Sequence, residues 1–302
     1  MLEKFRYQFI LHFIVFIWGF TAILGEYIHL ESYELVWYRM GIAFLSLVIY
    51  GIVVGKSPFK IKPKQLLKII LVGGIVGFHW ITFFAAIKAS SVSVAIIAMS
   101  SSTFFMAFME PLFFKRRIRI YEVVLAVVIL MGIFMIQFFV DSDNTRASDG
   151  DVVKGISLAL LSSFLATVFT VINGKMVKSI DSLKITVWEM LGGFVVASLA
   201  IAFSTGFQVE RLSMPNQEII AVLILAVACT SFAFLASTWV MKFVTPFTVS
   251  ISINMEPIYA MILAIIIFPE TETMTLEFYI GAAIILLAVF LNAFFKSKFS
   301  SV

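Results

Sequence analysis

The sequence predicts an all-α polytopic membrane protein: ten transmembrane helices arranged as two inverted five-helix repeats. Three observations carry this. Ten long apolar stretches follow one another, the basic residues between them alternate sides, and the most polar connector divides the stretches five and five. Read as spans, they fall near 7–25, 33–55, 66–88, 91–114, 121–140, 152–174, 185–205, 217–239, 246–268 and 276–295. Each has about 20 residues, enough to cross ~30 Å of hydrocarbon as a helix. Membrane-spanning strands would show strict alternation, which none of these stretches has.

Composition agrees. Hydrophobic residues make up 61% of the chain and charged residues 13%, against roughly 25% charged in a soluble domain. A soluble helix keeps one polar face, and these stretches have none. The first stretch follows Lys4 and Arg6 but is too long for a cleaved leader and lacks its small-residue end. The net charge of +4 reflects basic residues gathered on one membrane face, so nucleic acid is not an expected partner.

The connectors give the orientation. Lys4 and Arg6 precede span one. Lys56, Lys60, Lys62, Lys64 and Lys68 follow span two, Lys115 to Arg119 follow span four, and Lys175, Lys178 and Lys184 follow span six. Lys242 follows span eight, and Lys296 and Lys298 follow span ten. Most of the 22 Lys and Arg therefore sit on one side. Loop Lys and Arg mark the cytoplasmic side, so both termini are expected there, in the plasma (inner) membrane. The connectors opposite are acidic, with Glu26, Glu31, Glu34, Glu270 and Glu272.

The polar connector 141–151 separates a first five-helix repeat, 1–140, from a second, 152–302. The halves echo one another. Trp37-Tyr-Arg-Met-Gly41 matches Trp188-Glu-Met-Leu-Gly192, and Ala86-Ile-Lys88 matches Val240-Met-Lys242. An odd number of spans per half turns the second half upside down. Inverted repeats are a common construction of secondary transporters, because exchanging the two repeats' conformations moves the opening from one face to the other.

Trp18-Gly19 in span one, Arg39 in span two, Ala86-Ile-Lys88, Glu256-Pro257 followed by Pro269-Glu270, and Gly281 in span ten carry a resemblance. Their order and spacing resemble the drug/metabolite transporter superfamily, in its EamA-like members, over both halves. The first half departs from the pattern: Ser102-Thr103 stand near the proline-equivalent place, and Glu110-Pro111 come about two turns later. Lys115-Arg116-Arg117 stand where the family usually has an acid. The resemblance implies a secondary transporter of small metabolites, more an exporter than an importer, with no cofactor.

Glu256 is the leading candidate for function. It lies mid-way along span nine, where a charge costs about 2.5–3.5 kcal/mol on insertion scales and usually meets a partner, a cavity or a proton path. Pro257 removes a backbone N–H beside it, and Asn254 adds an amide. A proton-coupling or binding carboxyl is one reading; a protonated tie between helices is the other. Arg39, two turns into span two, is either a binding group for a carboxylate, a structural ion pair or a snorkelling side chain. His79 and Trp80 lie mid-span three. A lone histidine there is more often a satisfied core group than a ligand, and no second histidine is near enough for a metal. Trp80 with Phe83 and Phe84 suggests a cavity wall. Ser101 and Thr103, in a run of hydroxyls in span four, suit either close helix packing or a polar lining. Trp239 in span eight completes the wall candidates. Gly73 and Gly77 read as a packing face, and Glu110 as an interface partner of Lys115 or Arg117.

Other chemistry is thinly represented. Gly51-Ile-Val-Val-Gly55-Lys-Ser57 misses the phosphate-loop spacing and has no strand before it. The single cysteine, Cys229, excludes an intrachain disulfide. An intramembrane enzyme or lipid-handling protein would need a nucleophile–base pair at one depth, and the sequence offers none. A scaffold would not need Glu256. The expected partners are a small solute and the bilayer, with protons in the coupled case; facilitated exchange is the uncoupled case, and monomer and dimer both fit.

Overall fold

Twelve helical segments and a π segment carry the fold of this computed structural model, which describes residues 2–114, 120–139, 149–208, 212–244, 249, 252–253, 255–268 and 276–299. Among the described residues no strand occurs. The helices are α1 (Leu2–Tyr27), α2 (Ser32–Val53), α3 (Pro63–Ala89), α4 (Val92–Met99), α5 (Ser102–Phe114) and α6 (Ile120–Phe139). Then come α7 (Asp149–Met176), α8 (Ser182–Ser204), α9 (Asn216–Ala226), a π segment (Val227–Phe232), α10 (Ala233–Val240), α11 (Glu256–Ile267) and α12 (Leu276–Phe299). Among the described residues, seven helical stretches are long and apolar enough to cross a bilayer.

Local chemistry sets the helix starts. Glu31 precedes α2 and its backbone N–H donates to the Glu34 side chain at 3.0 Å, one arm of a capping box. Asp181 caps α8 by accepting from the Leu183 N–H at 3.0 Å, and Ser91 caps α4 by accepting from Val94 at 3.2 Å. Pro63 opens α3, where its missing N–H costs nothing. Asp149 and Asp151 lie in the first turn of α7, where carboxylates suit the helix dipole. That helix therefore starts inside the polar connector expected to separate the halves.

Three expected spans are not uniform. Span four breaks at Ser100-Ser101 into α4 and α5. Span eight is one rod, Asn216–Val240, widened at its centre. There the Thr230 and Ser231 hydroxyls donate to the carbonyls five residues back, Leu225 and Ala226, at 2.7 and 3.0 Å. In span nine Ser252 and Ile253 are helical, Met255 is a turn, and α11 runs from Glu256 with Pro257 in its first turn.

Packing is tightest between α3 and α8. A Cβ on Gly73 would strike the backbone of Glu189, one on Gly77 would lie 2.8 Å from the Gly193 Cα, and one on Gly192 would strike the Ile70 carbonyl. The expected packing face is thus a backbone-to-backbone seam. Helix α3 also packs on α7, α2 on α8 and on α9 with its π segment, and α1 on α10 and α11. Helices α4 and α5 pack on α7, α4 meets α11, and α6 pairs with α12.

Helices α2 and α8 bury the same positions when counted from Ser32 and Ser182: Leu35 and Ile185, Val36 and Thr186, Met40 and Met190, Leu47 and Ala197. In this register Arg39 matches Glu189, both fully buried. This register differs by one residue from the sequence pairing of Trp37 with Trp188, and Glu31 and Asp181 precede the two helices at equivalent places in it.

Two loop faces result. On the acidic face His29 bonds Glu218, Tyr38 donates to the Leu212 carbonyl at 2.6 Å, and Lys88 donates to the Ile28 carbonyl at 3.0 Å. On the basic face Lys184 donates to the Lys60 carbonyl, Trp188 to that of Pro58, and Lys242 pairs with Asp181 at 3.7 Å.

Candidate functional site

A cavity opens inside the bundle among α1, α3, α4, α5, α7, α10 and α11. It offers about 100 Å³ to the centres of water molecules, enough for several. Trp18, Trp80, Phe83, Phe169 and Phe234 give it aromatic walls. Its polar groups include His79, Ser100, Thr170, Asn173, Thr238 and Glu256. The lining reaches Asn173 and Met241, near the basic-face ends of α7 and α10.

Glu256 lines this cavity and is the first residue of α11. Pro257, in the same first turn, brings no N–H of its own to the ladder, and interrupted helices at mid-membrane are where inverted-repeat carriers place their sites.

His79 is held by α7. Its Nδ1 lies 3.0 Å from the Ser162 carbonyl and 2.8 Å from the Ser162 hydroxyl, which itself donates to the His79 carbonyl at 2.9 Å. A carbonyl only accepts, so Nδ1 carries the proton in this pairing and Nε2 is the acceptor of the neutral ring. The ring also packs on Trp80 and Phe169. His79 is thus a satisfied core group and a cavity wall at once.

Arg39 does not line the cavity. It is fully buried, and its guanidinium carbon lies 3.4 Å from the centre of the Trp80 ring, with Phe84 at 5.5 Å. Its Nε donates to the Thr230 hydroxyl at 2.6 Å, so the π segment supplies the acceptor. Nη1 and Nη2 have no hydrogen-bond partner among the described residues. A desolvated cation on an aromatic face gains about 2 kcal/mol. Arg39 therefore stiffens the Trp80 wall.

The other candidates are dispersed. The Ser101 hydroxyl pairs with that of Ser163 at 2.7 Å and ties the α4–α5 break to α7. Its neighbours Ser100 and Ser102 line the cavity. Trp239 is outside it, packed between Tyr7 and Phe243. Asn254, and the side chains of Thr103, Glu110 and Pro111, lie outside the described residues. Among the described residues no group of His, Cys, Asp and Glu is arranged to hold a metal.

Sequence reading missed Asn173 and Glu189. Asn173 is buried, lines the cavity and donates to Glu189 Oε2 at 3.2 Å. An acid seven residues inside span seven was the available signal. Asn173, near the end of a helix that also carries Thr167 and Thr170, gave none.

Comparison with known proteins places the chain. The model of the EamA-like transporter family matches residues 7–138 and again residues 153–294. The chain belongs to the EamA-like transporter family. The "Uncharacterized transporter YdfC" of Bacillus subtilis (strain 168) is 20% identical over 259 residues, which cover 84% of this chain and 81% of that protein. A protein of solved crystal structure superposes with a TM-score of 0.68 over 97% of this chain and 98% of its own, at 14% identity; that likeness concerns the fold alone. With its long apolar helices, this EamA-like chain is an integral membrane protein. The family-resembling residues turn out to be contacts around the site. Trp18 donates to the Cys229 carbonyl at 3.1 Å. A Cβ on Gly19 would lie 3.1 Å from Tyr259, and one on Gly132 would lie 3.1 Å from the Gly281 carbonyl.

Proposed function

We propose that the protein is a secondary transporter, not an enzyme, that moves small metabolites such as amino acids, related compounds or amphipathic drugs by alternating access. Export is the direction we assign. The observation that carries this is the cavity itself. Segments from both halves line it, Trp18, Trp80, Phe83, Phe169 and Phe234 give it aromatic walls, and its one acidic group is Glu256 among the lining residues. Aromatic walls suit apolar and planar solutes, and a few placed polar groups orient them.

The ten-span inverted repeat is part of the same proposal. The family model matches twice, once per half. Exchanging the halves also maps the helix contacts onto one another. The α3–α7 contact answers α1–α10, α3–α8 answers α2 with α9, and α4–α7 answers α1–α11, while α2–α8 and α6–α12 map onto themselves. We place the basic face and both termini in the cytoplasm of the plasma (inner) membrane.

In this reading Glu256 meets the solute and exchanges a proton during the cycle; the bland alternative is a helix tie. Glutamine keeps the volume but cannot titrate. Flux into proteoliposomes is measured with and without an imposed pH gradient, using solutes found by a resistance screen over a metabolite panel. Glu256→Gln is expected to fold, to lose gradient-driven accumulation and to keep equilibrative exchange. Identical gradient-driven uptake in wild type and variant removes Glu256 from the coupling step.

A further inference from the structure

The second half carries its own buried ionisable group at the place where the first half carries Arg39. We propose that Glu189, with Asn173, is a proton-binding site one residue behind the basic-face wall of the cavity. As a part of the transport cycle this rests on the transporter reading; as a proton site it does not.

Four observations carry it. First, Glu189 is fully buried, and its Oε1 has no hydrogen-bond partner among the described residues. A carboxyl serving only as a tie would be expected to use both oxygens, since a buried unpaired acceptor costs about 1–3 kcal/mol. Second, the bond to Oε2 comes from Asn173 Nδ2, and Asn173 lines the cavity while its own Oδ1 is unpartnered. Third, Glu189 and Arg39 each stand seven residues into α8 and α2, helices that start on opposite loop faces and bury the same stripe. Arg39 braces the cavity through Trp80 and Glu189 reaches it through Asn173, so a cation stands behind one wall of the cavity and an acid behind another. Fourth, among the described residues no titratable side chain is seen facing Glu189 across the helices packed there. Helix α3 presents Gly73 and Ile70, α2 presents Met40 to Gly193, and α7 presents Asn173. Helix α10 contains no titratable residue, and Arg39 of α2 directs its guanidinium to Trp80 and Thr230.

The chemistry is a simple proton transfer. Hydronium gives its proton to Oε1 of the carboxylate, leaving water and a neutral carboxyl. The Asn173 N–H···Oε2 bond holds in both forms, because the carboxylate and the acid carbonyl both accept. Loss of the proton leaves a buried anion whose one donor is Asn173, which favours a conformation that admits water to Oε1. Burial thus ties proton occupancy to the shape of the cavity's basic-face end.

Infrared difference spectroscopy of the purified full chain, between acidic and alkaline buffer, tests this without any solute. The expected result is a titrating carboxyl C=O band present in wild type and in Glu256→Gln and missing from Glu189→Gln. In Asn173→Leu the band moves to higher frequency, since the donor to the carbonyl oxygen is gone. Titrating bands left unchanged by Glu189→Gln overturn the proposal, as does a Glu189 band that stays protonated throughout. Should Glu189→Gln fail to fold, an unshifted spectrum in Asn173→Leu overturns it equally. Solute flux measured on the same preparations separates the two claims: titration without flux in any panel member sinks the transporter reading and leaves the proton site standing.

Discussion

Arg39 shows how a residue recognised in the sequence acquires a different task in the structure. Its place in span two left open a clamp for a solute carboxylate, a structural ion pair or a snorkelling side chain, but its guanidinium carbon lies 3.4 Å from the centre of the Trp80 ring and its Nε is committed to Thr230. The planar fork matters here for stacking rather than for bidentate recognition. Arg39→Lys keeps the charge and loses both contacts, so solute flux at matched membrane levels is expected to fall on the order of tenfold or more, given about 2 kcal/mol for such a desolvated contact. Flux equal to wild type removes Arg39 from the wall. Glu256 was legible because a carboxylate beside proline within an apolar span stands out. Asn173 and Glu189 were not, because their significance lies in a contact between two helices, and no spacing along one chain records it.

At the scale of elements, the spans were legible because hydropathy and basic loops are one-dimensional signals. The interruptions were not. The π widening depends on Thr230 and Ser231 bonding five residues back, and those hydroxyls are equally at home in an ordinary turn. The break at Ser100-Ser101 was visible only as a run of small hydroxyl residues open to two readings. Glycines were clearer. Gly73 and Gly77 announced a close approach, although not its partner. The seam makes an expectation that separates backbone contact from side-chain contact. A Cβ on Gly73 meets the fixed backbone of Glu189, whereas one on Gly74 meets a Val196 methyl at 3.3 Å. Gly73→Ala is therefore expected to destabilise by about 1–3 kcal/mol, as overpacking does, and Gly74→Ala by less. Thermal unfolding in detergent measures both, and equal melting temperatures would show that the seam yields.

For the whole molecule, alternating access requires that the acidic face come apart, and the structure shows what holds it. The His29 backbone N–H donates to Glu218 Oε2 at 3.2 Å while its ring Nδ1 lies 2.7 Å from Oε1. The His29 side chain is 85% exposed and that of Glu218 5%, so the bond pins an exposed turn of the first half to a buried point on α9. Tyr38, donating to the Leu212 carbonyl at 2.6 Å, and Trp37, donating to the Ser198 hydroxyl at 3.0 Å, also link the halves near this face. Hydrogen bonds to a charged group contribute about 1.5–3 kcal/mol. Glu218→Ala removes both bonds and is expected to raise the population open on this face on the order of tenfold. A cysteine at Ser237, which lines the cavity, reports that opening in a Cys229→Ser background, and a cysteine at Ser213 reports which side the face is on. A membrane-impermeant maleimide added to intact cells should label Ser213→Cys readily and Ser237→Cys slowly. Labelling of Ser237→Cys should accelerate severalfold in Glu218→Ala, with Ser213→Cys unaffected. Absence of labelling at Ser213→Cys reverses the orientation of the chain. Equal rates at Ser237→Cys with and without Glu218 show that the His29 contact is a surface ornament and that the acidic face is closed by its aromatic interior instead.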